Sequence, residues 1–186
     1  ASYGYVGGGT NPDLSQITRI DYANDTATSV AKGPLTVVRQ SFSSSSAPGH
    51  GYFYGGRQAD NGYAQLSSVD RMDYSSDTST AVSKGPLSSA RAYNSAVSSR
   101  DIGGSLSGTP TFIPRIRWVD SVAETPAVLG GPAYGYHCGG GLPSSVSTVD
   151  RIDFGNDTAT TSVRGSLSSS RHSAATVGNT SYGYAC

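Results

Sequence analysis

Three arginines stand two residues ahead of an aspartate: Arg19/Asp21, Arg71/Asp73 and Arg151/Asp153. Residues i and i+2 share one face of a strand, so each pair can join a ladder of charge-assisted contacts between neighbouring segments. Catalysis would need one copy to differ from the rest, because an active site is used once. The copy that differs, Arg115/Arg117, has lost its acid. A second set, Arg39, Arg91 and Arg171, can satisfy backbone carbonyls between units with the five donors of each planar fork. A ring of such arginines would alternatively bind a sulfated or carboxylated glycan. His50, His137 and His172 lack the i, i+4 or CxxC spacing of metal sites. The glycines at 7–9 and 139–141 precede no helix and carry no P-loop Lys and Ser/Thr, so they suit strand bends better than a phosphate cradle. No catalytic residue, metal ligand or cofactor-binding residue is expected.

The elements that must position these groups are repeated. "ITRIDYANDTATSVAKGPLTVVR", "VDRMDYSSDTSTAVSKGPLSSAR" and "VDRIDFGNDTATTSVRGSLSSSR" are near-copies, and in each the two outer arginines are 20 residues apart. A glycine cluster precedes every copy: "GYVGGG", "GYFYGG" and "GYHCGGG". The full unit reads as four strands: a small-residue strand, an aromatic strand ending in Gly-Gly, an alternating strand "VDRIDF", and a β-branched strand "TATTSV". Between the last two lies a polar turn whose Asn and Asp bond their own backbone. Strands are expected over 16–23, 27–31, 68–74, 78–82, 148–154 and 158–163. Cys138 and Cys186 lie 48 residues apart, at equivalent positions of successive units, and are expected as two free thiols on inner strands.

Stepping by 48 residues from Gly56 lands on Gly104 and a decayed copy, "IPRIRWVDS", but the interval to Gly140 is only 36 residues. The third unit therefore reads as degenerate, short of one strand. The chain is expected to form one domain, 1–186, with repeats at 1–38, 39–90, 91–132 and 133–186. It reads as a window of a longer array or, alternatively, as a small propeller closed by pairing its termini.

Composition narrows the function classes. With 13 Lys+Arg against 13 Asp+Glu, the chain carries no basic excess for nucleic acid. No apolar run reaches the ~18–20 residues of a membrane span, so no membrane insertion is expected.

A four-strand unit with Gly-Gly after an aromatic strand resembles the Kelch-type β-propeller repeat, although the family's fourth-strand Trp is replaced by "TATSV". The resemblance implies an all-β propeller of about four blades, the third degenerate. The wording of the repeat is also similar to Kelch-like arrays in structural proteins of tailed phages. That likeness implies a non-enzymatic structural or adhesion module of a virion, tail or fibre, in the virion or extracellular. Its partners would be other structural proteins, host-surface groups or further copies of itself. The alternative is a glycan-binding, lectin-like propeller with tyrosines stacking on sugars.

Two stretches are the expected contact surfaces. "RQADNGYAQ" carries a four-residue insertion and should project as a loop presenting Arg57, Asp60 and Tyr63. The irregular segment 105–132 holds Phe112, Ile113 and Trp118, and a blade lacking a strand would expose an edge there for a partner.

Overall fold

A computed structural model describes residues 3–10, 12, 14–98, 134–141, 144–178 and 182–186. These residues form several antiparallel sheets, joined by turns and one single turn of 3-10 helix at Tyr74–Ser76. The first sheet holds β1 (Tyr3–Gly7), β2 (Ile17–Asp21) and β3 (Val30–Lys32). The second holds β4 (Ser43–Ala47), β5 (His50–Tyr54), β8 (Val69–Asp73) and β9 (Val82–Lys84) in that order. A small hairpin, β6 (Arg57–Gln58) and β7 (Ala64–Gln65), leaves it between β5 and β8. The third sheet is β10 (Ser95–Ser98), β11 (Tyr134–Cys138), β12 (Val149–Asp153) and β13 (Ser162–Arg164). A last hairpin pairs β14 (Thr176–Gly178) with β15 (Gly183–Ala185).

The alternating segments become β2, β8 and β12, and each forms an antiparallel hairpin across its Asp-containing turn. The strands after those turns begin three or four residues later than the sequence pattern suggests. The turns are longer than a minimal hairpin: Asp21 and Asp153 carboxylates accept from the amides of Ala23 and Gly155, and Ala27 and Ala159 then bond Asn24 and Asn156 carbonyls. In the second copy the same carboxylate starts the 3-10 turn, accepting from the Ser75 amide at 2.8 Å.

The third unit differs from the expected register. Ser95–Ser98 pairs directly with Tyr134–Cys138, so the third sheet has its full four strands and is not degenerate. The repeat boundary expected at 132/133 divides strands that belong to one sheet. Residues 99–133 connect two adjacent strands: Ser95 to its partner Cys138 spans 43 residues where Ser43 to Tyr54 spans 11, so the 32 extra residues are an insertion within a unit rather than a shortened copy.

Burial explains the layering. A strand covered on both faces is apolar or paired on both, and β8 buries Val69, Asp70 and Met72 together. One apolar cluster (Ile17, Leu35, Phe53, Met72, Ala81) draws from the first and second units. Another (Ala47, Tyr52, Tyr54, Val69, Leu87, Ile152) draws from the second and third. Gly-Gly pairs end β5 and β11 because the chain turns back there in left-handed geometry. Gly55 has φ +60°, and a Cβ on it would lie 2.6 Å from the Arg91 carbonyl oxygen.

Candidate functional site

The charged residues meet at the junctions between consecutive sheets. Arg39, 0% exposed, donates Nη2 to the equally buried Asp70 at 3.0 Å and Nη1 to the Gly55 carbonyl at 3.1 Å. Thr36 adds its amide and hydroxyl to the same carboxylate, each at 2.8 Å. One junction further on, Arg91 Nη2 lies 2.6 Å from Asp150, which also accepts from the Ser88 hydroxyl at 3.0 Å. The five donors of each fork predict the arginine–carbonyl bonds but not these acids. Asp70 and Asp150 precede their strand arginines, and the visible Arg-x-Asp pattern draws attention to Asp73 and Asp153 instead. With Arg39 and Arg91 sealed and engaged, these two are not available to an anionic glycan.

A second acid completes each junction from the outside. Asp77 accepts from Arg19 at 2.8 Å, Lys32 at 3.1 Å and the Tyr5 hydroxyl at 3.1 Å, all from the preceding sheet. Asp157 repeats the set with Arg71 at 2.8 Å, Lys84 at 3.1 Å and Tyr52 at 2.8 Å. Burial alone would raise both carboxyls. Hydrogen bonds from the lysine, tyrosine and arginine neighbours outweigh it, and both sit below the usual aspartate value. The Arg-x-Asp ladder thus forms between sheets with a different acid from the one expected. The available signal was the Asp-Thr-x-Thr of the turn, which is common to all three copies.

Of the expected contact residues, Arg57 and Tyr63 are brought together. The insertion folds into the β6–β7 hairpin, and the Arg57 guanidinium lies 4.5 Å from the Tyr63 ring and 4.8 Å from Tyr93. Asp60 is exposed in the turn of that hairpin. The expected loop is therefore a short, cation–π-braced ribbon. Phe112, Ile113 and Trp118, with the whole of 105–132, lie outside the described residues. Both cysteines are free thiols; Cys138 is buried and Cys186 exposed.

An aromatic cleft of about 290 Å³, not anticipated from the spacing, opens between the first two sheets. Tyr3, Tyr5, Tyr22 and Tyr74 line one part, and Ser44, Ser45 and Ser46 of β4 another. Tyr5 and Tyr74 stack with centroids 5.1 Å apart. Tyr22 is 61% exposed, leaving an open ring face. Burial pushes the Tyr74 phenol up to about 12, with smaller contributions from Tyr5 and Tyr22. The cleft therefore offers neutral rings and hydroxyls, a surface for stacking and hydrogen bonding.

His137 is 2% exposed and hydrogen-bonded through Nε2 to the Asn94 amide. Burial, and secondarily the Arg91 charge, lowers its pKa to about 3. A base depressed this way takes up a proton more readily when unfolded. Its stability contribution is complete above the unfolded value near ~6.5 and is lost as pH falls towards the folded value. The unfolding free energy from urea titrations between pH 7 and 4.5 should fall with a slope approaching about 1.4 kcal/mol per pH unit. His137→Gln should flatten that slope.

Among the described residues no group of three or more His, Cys, Asp or Glu is placed to hold a metal ion. Ser145 Oγ lies 2.6 Å from His172 Nδ1, but the pair is exposed, not desolvated like an activated nucleophile. The chain is thus an all-β protein of several antiparallel sheets whose conspicuous charges are spent at sheet junctions. Compared with known proteins, it matches no protein-family model and no curated relative.

Proposed function

We propose that this chain is a non-enzymatic structural or adhesion module, a Kelch-like β-propeller repeat protein of a virion or an extracellular assembly. The observation that carries this reading is the duplicated junction: the same acid, arginine, lysine and tyrosine are used twice for the same sheet-to-sheet contact. Residues that recur with one shared structural use are architecture, and architecture of this kind displays loops. The β6–β7 hairpin, with Arg57, Asp60 and Tyr63, departs from the repeat among the described residues and is the proposed contact surface; Phe112, Ile113 and Trp118, in the longer insertion, remain proposed as a second. Replacing 57–65 with the shorter connection of the first unit should leave the circular dichroism spectrum intact and abolish adhesion of the labelled chain to bacterial cells. Unchanged adhesion removes the hairpin as the contact.

The tyrosine cleft favours a second reading, a glycan-binding module. Neutral rings beside serine hydroxyls suit the apolar face and the hydroxyl rim of a sugar. On a glycan array, Tyr22→Ala should lose binding at least tenfold, as the removal of about 1.4 kcal/mol of stacking requires. An array that is blank for the unsubstituted chain sinks this reading and leaves the first standing.

A further inference from the structure

The third sheet repeats the receiving half of a junction to which the β14–β15 hairpin brings two strands but, among the described residues, no acid. Tyr136 stands opposite Arg151 in register, as Tyr5 stands opposite Arg19 and Tyr52 opposite Arg71. Arg164 stands opposite Val149, as Lys32 stands opposite Ile17 and Lys84 opposite Val69. Among the described residues no carboxylate pairs with Arg151 or Arg164. All of β13 is exposed. Gly165 is also exposed, with nothing within 4 Å of a Cβ built on it, whereas the equivalent Gly33 and Gly85 are buried under the next turn.

The inserting half is present at the other end of the fold, with no ion pair to its acid among the described residues. Asp25 corresponds to Asp77 and Asp157 but is exposed. Its turn has the bonds of the Asp157 turn: Asn24 amide to Asp21 carbonyl at 3.1 Å matches Asn156 to Asp153 at 3.1 Å. Ala23 amide to the Asp21 carboxylate at 2.9 Å likewise matches Gly155 to Asp153 at 2.8 Å.

The inner halves differ in a compensating way. Thr18 replaces the buried acid of Asp70 and Asp150, so the first sheet brings no carboxylate for an inner arginine. The arginine it would meet, Arg171, already donates both terminal nitrogens within its own chain, to the Ala185 carbonyl at 3.2 Å and Ser169 at 2.8 Å.

We propose that the part of this junction beyond β15 receives the β2–β3 hairpin of a second copy, with Asp25 of that copy seated on Tyr136, Arg151 and Arg164 and β15 standing where β1 stands in that copy. Such a contact is heterologous, so it propagates into rings or filaments rather than stopping at a two-fold dimer. It deepens the reading of the chain as an assembly module, but its test records mass and not adhesion, so the two fail separately.

The experiment is sedimentation equilibrium of the chain from micromolar to millimolar concentration, alongside Asp25→Lys and Gly165→Trp. Both substitutions lie on exposed turns and should keep the native circular dichroism spectrum. The unsubstituted chain should grow beyond the monomer mass, and each variant alone should remain monomeric. An equimolar mixture should form a dimer and stop there, because it holds one intact turn and one intact receiving face. A chain that stays monomeric throughout, or variants that assemble as it does, overturns the proposal.

Discussion

Asp150→Ala should destabilise the chain by about 3–5 kcal/mol, the cost of breaking a buried ion pair on one side only. Arg91 is 2% exposed and Asp150 is 0% exposed, so the guanidinium left behind has no water to turn to. Its remaining partners are neutral: the Ser89 carbonyl at 3.5 Å, the Thr148 carbonyl at 3.4 Å and the Ser88 hydroxyl at 3.0 Å. Urea unfolding monitored by circular dichroism reads the loss. The converse is equally specific. Removing both charges together, as Arg91→Met with Asp150→Leu, should recover most of the stability, because two buried charges and their desolvation disappear at once. If the double variant were no more stable than Asp150→Ala, packing rather than charge would govern the junction.

That pair marks where sequence reading stopped. The alternating strands, the polar turns between them and the all-β class were legible because period-two burial is a local property. The partners of Arg39 and Arg91 were not. They lie 31 and 59 residues away, and that second interval contains the inserted segment. Spacing along one strand cannot reveal an acid contributed by the next sheet. The same limit hid the third sheet: a ruler of constant period treats an insertion as a damaged copy, whereas strand pairing carries β10 straight to β11. The tyrosine cleft stayed hidden because it combines rings from two units. The Arg57–Tyr63 contact was nearer to hand, since both residues sit in one hairpin.

Gly85→Ala carries the second large effect. Gly85 donates its amide to the Asp157 carbonyl at 2.7 Å, and a Cβ at this position would lie 1.7 Å from the Ala159 carbonyl oxygen. The obstacle is backbone, which cannot rotate aside, so the third sheet must withdraw from the second. Withdrawal also breaks the Asp157 contacts with Arg71, Lys84 and Tyr52. A loss above about 4 kcal/mol, at the extreme of single substitutions, is expected in urea unfolding. Gly165→Ala, the same change at the equivalent open position, should stay within about 0.5 kcal/mol. Equal effects at the two glycines would mean that the close approach at Gly85 is not what holds the sheets.

Amide hydrogen exchange at three equivalent glycines tests the junction account most directly. Gly33 and Gly85 donate across junctions to Asp77 and Asp157 at 2.8 and 2.7 Å, whereas Gly165 has no such acceptor among the described residues. In the Asp25→Lys protein, kept monomeric for the measurement, Gly33 and Gly85 should exchange only through the large openings that expose β8, and Gly165 should exchange at the rate of an open chain. Fast exchange at Gly33 and Gly85, with β8 still protected, would show that the sheets are not held together by these junctions and would contradict the account.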